Sequence, residues 1–314
     1  MDRYRAAVER MRGGQVILID GGTGTEVERR GVPQLQNAWN SGGTLSHPDI
    51  VRDVHNDYIH CGAEIVIGNT FATSLNLVED AGVPELFEAY NRRAIELACE
   101  ARDAHNQSQV LVAGSISHWS FSDWRPSLAE LHDGAKQQAL IMKNAGADLI
   151  MLEMMIDVPS MVSVLEGATT SGLPVWAGLS CAPDREGRMC LQAGEADANG
   201  TVQAGQSGTL EEAIETLIDR DLELINIMHT DVQHIHACLD VLEKQWEGLV
   251  GVYAHSGKFL DGQWRFEDTI SSDDYASMSK EWLARGVNLI GGCCGIRPEH
   301  IGALREALRN QVMA

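Results

Sequence analysis

The stretch "SLAELHDGAKQQALIMKNAGADLIMLE" (127–153) contains one predicted helix followed by one predicted strand, and this unit recurs along the chain. Residues 127–146 alternate apolar and polar side chains at helical spacing, which predicts an amphipathic helix. Residues 147–153 form a short apolar run of strand length. Because this run is continuously apolar, we expect the strand to be buried on both faces.

Eight short apolar runs of this kind occur along the sequence, and amphipathic segments separate them. The predicted strands are 15–20, 63–71, 109–115, 147–153, 173–180, 222–229, 248–253 and 287–294, and helices are predicted between them at 47–62, 84–106, 127–146 and 210–220. Strict alternation of strand and helix predicts a parallel sheet with right-handed crossovers. Eight units close most simply into a (β/α)8 TIM barrel, so we expect residues 1–314 to form a single α/β domain.

An open, doubly wound sheet is the alternative, and it requires a glycine-rich phosphate-binding turn after the first strand. The turn there reads "DGGTGTEVERRG" (20–31), which lacks the third glycine at the required spacing. A dinucleotide site is therefore disfavoured. The stretch 181–208, after the fifth predicted strand, reads as one long loop.

The composition restricts the classes of partner. Asp and Glu number 45 against 24 Lys and Arg, so the net charge near −21 should repel nucleic acids and anionic lipids. The N-terminus has no apolar signal segment, and no window approaches the roughly 18 apolar residues of a membrane span. The 7 scattered cysteines do not resemble a disulfide framework. We expect a cytoplasmic protein without nucleic-acid or membrane partners, and the sequence leaves a homo-oligomer open.

Polar residues and thiols gather at the carboxyl ends of the predicted strands, where barrel enzymes carry their chemistry. These ends contribute Asp20, Asn69, Ser115, Glu153, Ser180, Cys181, Asn226, His229, His255, Cys293 and Cys294. A disulfide between the neighbouring Cys293 and Cys294 would close a strained ring. The two thiols are better interpreted as part of a metal site.

Five segments resemble the homocysteine S-methyltransferase family, and together they span residues 15–305. They are "ILIDGGTGTEVERRG" (17–31), "NAWNSGGTLSHPDIVRDVHNDYIHCGAEIVIGNTF" (37–71), "VAGSIS" (112–117), "GADLIMLEM" (146–154) and "NLIGGCCGIRPEHI" (288–301). The resemblance implies a (β/α)8 barrel enzyme that methylates a thiol, most simply homocysteine to methionine. It also implies a zinc ion held by three cysteines, two of which match Cys293 and Cys294.

The same resemblance implies the substrate contacts. Glu153 and Asp20 are the implied catalytic and amino-acid-holding residues, with Glu153 suited to the α-ammonium group. The glycine-lined turn with Gly21, Gly22 and Thr23 offers backbone amides to the α-carboxylate, and Asn69 is a further predicted substrate contact. The methyl donor should be a sulfonium or quaternary ammonium compound, whose cation could rest on the indole faces of Trp39, Trp119 or Trp124.

The chain departs from the family at the third metal ligand. The family places a cysteine in a "VNC" segment at the end of strand six, where this chain reads "INIMHTD" (225–231) with Ile227 at that position. Either imidazole could replace the missing thiolate. We prefer His255, with His229 as a fourth ligand or supporting partner and Cys181 behind both. Strand periodicity predicts that Ile227 and His229 share a face.

Two alternatives stay open at this point. The protein could methylate another small thiol or use a distinct onium donor. It could also be a non-catalytic binder of thiols or amino acids in which the metal site is altered or lost.

Overall fold

A computed structural model describes residues 2–36, 38–105, 108–120, 122, 125–192, 207–260, 263–265 and 269–312 of the chain. Eight parallel strands form its central sheet: β1 (Ile17–Leu18), β2 (Ile65–Ile67), β3 (Leu111–Ile116), β4 (Leu149–Met155), β5 (Val175–Leu179), β6 (Leu224–Asp231), β7 (Leu249–His255) and β8 (Leu289–Ile290). Each lies within or beside a predicted strand.

The strands follow one another around a closed barrel. Neighbouring strands pair in parallel from β2 through β8, and β8 pairs with β1. A parallel bridge between Ile19 and Ile65 then joins β1 to β2 and completes the ring. The predicted (β/α)8 TIM barrel is confirmed.

Helices surround the sheet. They are α1 (Asp2–Arg12), α2 (Thr23–Arg29), α3 (Gly43–Ser46), α4 (Pro48–Cys61), α5 (Leu75–Asp80), α6 (Phe87–Ala104), α7 (Leu128–Ala145), α8 (Val158–Thr169), α9 (Leu210–Ile218), α10 (Ile235–Gln245), α11 (Ser272–Leu283) and α12 (Pro298–Val312). Short 3-10 turns lie at Asn40–Gly42, Phe71–Thr73, Pro84–Leu86 and Val232–His234. None of the helices in the described ranges combines the length and apolar character that a membrane crossing requires.

The α7–β4 unit, whose sequence predicted the fold, contains residues that fix both ends of its helix. Ser127 caps α7 by accepting a hydrogen bond from the Glu130 amide, while the Glu130 carboxylate accepts one from the Ser127 amide. Gly146 ends the helix with φ of 111°, a left-handed conformation that glycine adopts without a Cβ penalty. Residues 146–148 then connect α7 to the start of β4 at Leu149.

Two layers of apolar side chains fill the structure. Alternate strand residues such as Met151 and Met228 fill the barrel interior, and their neighbours, such as Leu152 and Ile227, pack against the helices outside. Helix α1 closes the amino-terminal end of the barrel, where the Trp176 indole donates a hydrogen bond of 3.0 Å to the Tyr4 hydroxyl. The opposite end stays open for a site.

Two antiparallel hairpins extend the barrel beyond the regular units. One pairs Cys181–Pro183 with Met189–Leu191, and the other pairs Lys258–Leu260 with Gln263–Arg265. The prediction of one long loop over 181–208 was therefore wrong for its first part. The remainder, residues 193–206, lies outside the described residues.

Candidate functional site

A cavity of about 910 Å³ opens at the carboxyl ends of the strands. It brings together most of the residues predicted from the sequence. Those that line it are Gly21, Gly22, Thr23, Trp39, Asn69, Glu153, His229, Cys293 and Cys294. Asp20 and His255 do not line it. Asp20 precedes Gly21 in the chain, and the His255 ring stacks on the His229 ring. Trp119 also lines the cavity, whereas Trp124 lies outside the described residues.

Three side chains in the cavity form a group that could hold a metal ion. The ligand atoms of His229, Cys293 and Cys294 all lie within 4.8 Å of one another. The Cys293 sulfur is 3.6 Å from His229 Nδ1 and 3.9 Å from the Cys294 sulfur. Imidazole and thiolate ligands suit zinc, and three protein ligands leave one position open, as in catalytic zinc sites. The donor set therefore fits a zinc ion.

The electrostatics of the thiol pair also favour a bound cation. The hydrogen bond that the Cys293 thiol donates to Cys294, together with burial, raises the pKa of Cys293 well above its usual range, while His229 acts in the opposite direction. Two neighbouring thiolates repel each other, and the partial burial of Cys293 and Cys294 limits the screening of that repulsion by water. A cation between them would remove that repulsion, because metal coordination deprotonates thiols.

The backbone after β8 aims both thiols into the cavity. The Cys293 amide donates to the Ala254 carbonyl at 2.9 Å, and the Ser256 amide donates to the Cys294 carbonyl at 3.0 Å. Gly295 follows with φ of 81°, and a Cβ there would lie 2.1 Å from the Ser256 oxygen. Only glycine fits this close turn against the end of β7.

His229 reaches the thiols through an irregularity in β6. The register between β6 and β7 shifts between Met228 and Asp231, and His229 has φ of 41°, which is unusual for a residue with a side chain. Ile227 packs outward among the helices, while Met228 and His229 both line the cavity. The prediction that Ile227 and His229 share a face was wrong, because a bulge interrupts the two-residue period.

His255 and Cys181, the other candidate ligands, lie outside the three-residue group. The His255 ring stacks on the His229 ring, with centroids 4.7 Å apart and planes at 24°. Burial lowers the pKa of His255 well below its usual range, and the nearby His229 adds to this. Cys181 is buried in the layer between sheet and helices. The structure thus brings His229, rather than His255, to the thiols.

Glu153 is one of three acidic residues that line the cavity in the described part of the chain, with Glu26 and Glu28. It ends the regular part of β4 and is 8% exposed. Burial raises its pKa to about 7, and the hydroxyls of Ser115 and Tyr253 and the His229 imidazole oppose that rise. The Ser115 hydroxyl donates a short hydrogen bond to one carboxylate oxygen. A cationic ligand group would stabilise the ionised form of this carboxyl further.

Asp20 occupies a different environment from Glu153. Its carboxylate is 1% exposed and accepts a hydrogen bond of 2.8 Å from the Ile67 amide. Burial raises the pKa of Asp20 well above its usual range, and the nearby Glu153 adds to this. These contacts tie β1 to β2 beneath the cavity, and a direct substrate contact by Asp20 stays a prediction.

An aromatic wall stands at the mouth of the cavity. The Trp39 indole donates to the Glu28 carboxylate at 3.4 Å and meets Phe71 edge to face at 6.5 Å between centroids. A Cβ on Gly24 would lie 2.7 Å from the Trp39 ring, so α2 packs closely against the indole. Indole faces beside a carboxylate are suited to bind an organic cation.

A search against family models matches residues 17–308 to the model described as homocysteine S-methyltransferase. The chain belongs to the homocysteine S-methyltransferase family. Because the members that it resembles are methyltransferases, the chain is a homocysteine S-methyltransferase-like enzyme of class EC 2.1.1.

Three curated relatives illustrate the range of this family. Homocysteine S-methyltransferase 1 of Arabidopsis thaliana is 24% identical, over 95% of this chain and 95% of its own length. YbgG, a homocysteine S-methyltransferase of Bacillus subtilis, is 26% identical, over 91% and 92%. The selenocysteine methyltransferase of Astragalus bisulcatus is 24% identical, over 94% and 93%.

Among solved structures, the chain resembles the metallated form of the homocysteine methyltransferase MmuM from Escherichia coli. The TM-score is 0.72 at 23% identity, and the match covers 93% of this chain and 96% of that one. At this level of identity the likeness concerns the fold.

Tyr253 and Met228 are among the residues of the homocysteine S-methyltransferase-like site that the sequence interpretation missed. Tyr253 and Met228 both line the cavity. Tyr253 lies two residues before His255 on β7, so the strand period could have identified it. Met228 keeps the two-residue period of β6, with Leu224 on the same face, so the strand period could have identified it as well.

Proposed function

We propose that this enzyme transfers a methyl group from an onium donor to the thiol of a small amino acid, with homocysteine as the acceptor and methionine as the product. One observation carries the proposal. A His229, Cys293 and Cys294 group with the ligand atoms of a zinc site shares one cavity with the buried Glu153. We include in the proposal that residues 1–314 act as a single domain.

His229, Cys293 and Cys294 would hold the metal. When bound, zinc would lower the pKa of a substrate thiol at its open position and leave it as a thiolate at neutral pH. An imidazole in place of a third cysteine carries one negative charge fewer. We therefore expect slower transfer than at a three-cysteine site, or a more reactive donor.

Glu153 and the start of α2 would orient the acceptor. The carboxylate suits the α-ammonium group, with Ser115 fixing one of its oxygens. Gly21, Gly22 and Thr23 line the cavity, and because the Gly22 amide already donates to the Ile296 carbonyl, the other amides of this turn would bind the α-carboxylate. Held at both ends, the amino acid would direct its thiol toward Cys293 and Cys294.

The donor would enter from the side of the aromatic wall. Trp39 and Trp119 line the cavity and offer faces to a sulfonium or quaternary ammonium group. A cation bound at these faces would share the cavity with Cys293 and Cys294, so its methyl carbon could approach the acceptor thiol. The burial of the cavity floor would exclude water from the reacting atoms.

The experiment is a metal analysis combined with methyl-transfer assays. Purified protein should retain zinc near one equivalent after dialysis, and it should form methionine from homocysteine with betaine, S-methylmethionine, S-adenosylmethionine or dimethylsulfoniopropionate. Selenocysteine is a second acceptor to assay, because the Astragalus relative carries that name. Zinc-free protein that binds homocysteine without methylating it would instead support the non-catalytic binder.

A further inference from the structure

The strained conformation of His229 requires something to hold it. A residue with a side chain rarely adopts φ of 41°, because its Cβ approaches the following carbonyl oxygen. Strain of this kind persists when the surrounding structure over-determines it. We propose that Ser180, Thr230 and His255, here named the His229 clamp, hold His229 in this conformation and thereby set the affinity of the metal site. The inference rests on the metal ligation in the proposed function.

Two hydroxyls of the clamp fix the backbone on both sides of His229. The Ser180 hydroxyl donates a hydrogen bond of 2.8 Å to the His229 carbonyl. The Thr230 hydroxyl accepts one of 2.9 Å from the Cys181 amide and donates one of 3.0 Å to the Met228 carbonyl. Both hydroxyl residues are fully buried. The bulge of β6 is therefore fastened to the end of β5 at two points.

His255 fixes the ring. Its imidazole lies 4.7 Å from that of His229 at an interplanar angle of 24°, and both residues are buried. With one face covered in this way, the His229 ring keeps Nδ1 at 3.6 Å from the Cys293 sulfur. The clamp therefore settles both the main chain and the side chain of the ligand.

The same stacking argues against His255 as a ligand to the same ion. The lone pair of an imidazole nitrogen lies in the plane of the ring, and zinc binds it at about 2.0 Å. Two nearly parallel rings with centroids 4.7 Å apart cannot both point a nitrogen at one ion at that distance. His255 is thus a positioning residue, and it acts through His229.

The test measures Zn²⁺ affinity by competition with a chromophoric chelator, without any assay of activity. We expect His255→Ala and Ser180→Ala to weaken Zn²⁺ binding by about 10- to 100-fold, the usual effect of losing a group that orients a metal ligand. His255→Phe keeps a flat ring on His229 but has no nitrogen, so we expect it to restore most of the affinity. Ser279→Ala is the matched control, because the Ser279 hydroxyl is also buried and donates to a backbone carbonyl, 2.7 Å away in α11.

Co²⁺ substitution adds a spectroscopic readout. The visible bands of bound Co²⁺ should be those of the wild type in His255→Phe and should change in His229→Ala, which loses a ligand nitrogen. If His255→Phe loses as much affinity as His255→Ala and changes the Co²⁺ spectrum, His255 is a ligand and the inference is wrong. If Ser180→Ala binds Zn²⁺ as tightly as Ser279→Ala does, the backbone part of the clamp is wrong.

These failures differ from a failure of the proposed function. A wild-type protein that binds neither Zn²⁺ nor Co²⁺ would overturn the metal site itself and the clamp with it. Wild-type binding with unaffected clamp variants would overturn the clamp alone. Thermal unfolding of each variant identifies any loss of affinity that comes from a loss of folding.

Discussion

The carboxyl ends of β4 and β6 both contain a backbone irregularity, but different contacts stabilise the two. In each strand the register shifts near its carboxyl end, and in each a residue with a side chain adopts a left-handed conformation. At β4 this residue is Met154, with φ of 50°, and at β6 it is His229, with φ of 41°. The Met154 amide also lies 3.1 Å from the Met228 sulfur, so the two irregularities touch.

The two strand ends differ in which chemical group the surrounding side chains contact. At β4 the strained residue follows Glu153, the proposed substrate contact, and the Ser115 hydroxyl donates to the Glu153 carboxyl. At β6 the strained residue is His229, the proposed metal ligand; Ser180 contacts its carbonyl and His255 stacks on its ring. Hydrogen bonds to a carboxyl tune its charge. Contacts with a backbone and a ring face fix position and leave Nδ1 facing Cys293.

The largest effect should come from removing a thiol of the proposed metal site, which follows β8 and faces His229 at the end of β6. We expect Cys293→Ser to lower Zn²⁺ affinity and methyl transfer together by at least about 100-fold, because the first ligand shell loses a thiolate. Metal analysis and initial-rate assays measure this. Cys99→Ser is the control, since Cys99 lies outside the cavity beside Gly146. Full zinc content in the Cys293 variant would remove that thiol from the site.

Changing Glu153 at the end of β4 should weaken the use of the acceptor and leave zinc binding unchanged. We expect Glu153→Gln to lower kcat/KM for homocysteine by about 10- to 100-fold, the worth of a hydrogen bond to a charged group. Zinc content and the KM of the donor should stay unchanged, as measured by metal analysis and steady-state kinetics. A variant that loses zinc instead would show that the two regions are not separate.

The raised pKa of Glu153 also predicts an effect on stability. The carboxyl has a pKa of about 7 in the folded protein against an ordinary 4.5, so its burial destabilises the fold as pH rises through that window. In metal-free protein, Glu153→Gln should be more stable than the wild type above pH 7 by at most about 3 kcal/mol. Below about pH 4.5 the gain should vanish, because the carboxyl is then protonated in both states.

Chemical denaturation of metal-free protein across this pH range measures the difference. Glu64→Gln is a suitable control, because Glu64 is partly exposed and pairs with Arg10. A gain of the same size at low pH would assign the effect to packing rather than to ionisation.

The smallest expected effect comes from removing the Ser115 hydroxyl that contacts Glu153. Ser115→Ala removes one hydroxyl that favours the ionised form of Glu153, so the pKa of Glu153 should rise further. We expect the KM for homocysteine to rise by about 10-fold or less at pH 7 and to recover at higher pH. Zn²⁺ affinity should stay unchanged, in contrast to Ser180→Ala. An equal loss of Zn²⁺ affinity in both serine variants would contradict the separate roles proposed for Ser115, which contacts Glu153, and Ser180, which contacts His229.

Much of the fold and part of the site followed from sequence pattern. The alternation of apolar runs and amphipathic segments predicted the barrel, because buried parallel strands need apolar residues at successive positions. The same pattern placed Glu153 and the two thiols at strand ends, and the structure puts all three in one cavity. The boundary of α7 was also accessible, since Ser127 and Gly146 mark it chemically.

The imidazole that lies beside the two thiols could not be chosen in this way. The prediction assumed an unbroken two-residue period in β6, which would have turned Ile227 and His229 to one face. Ile227 keeps its regular outward position, and the bulge that follows Met228 turns His229 into the cavity instead. A bulge depends on the hydrogen bonds that a neighbouring segment offers, here from the Ser180 hydroxyl to the His229 carbonyl and from the Cys181 amide to the Thr230 hydroxyl.

The sequence by itself therefore determined the barrel, the location of its chemistry and the identity of the thiol pair. These features depend on local composition and on periods within single segments. The tertiary structure alone decided which imidazole faces Cys293 and which one stacks behind it. That choice arises where β5, β6, β7 and the turn after β8 meet, and contacts between segments distant along the chain leave no periodic trace in any one of them.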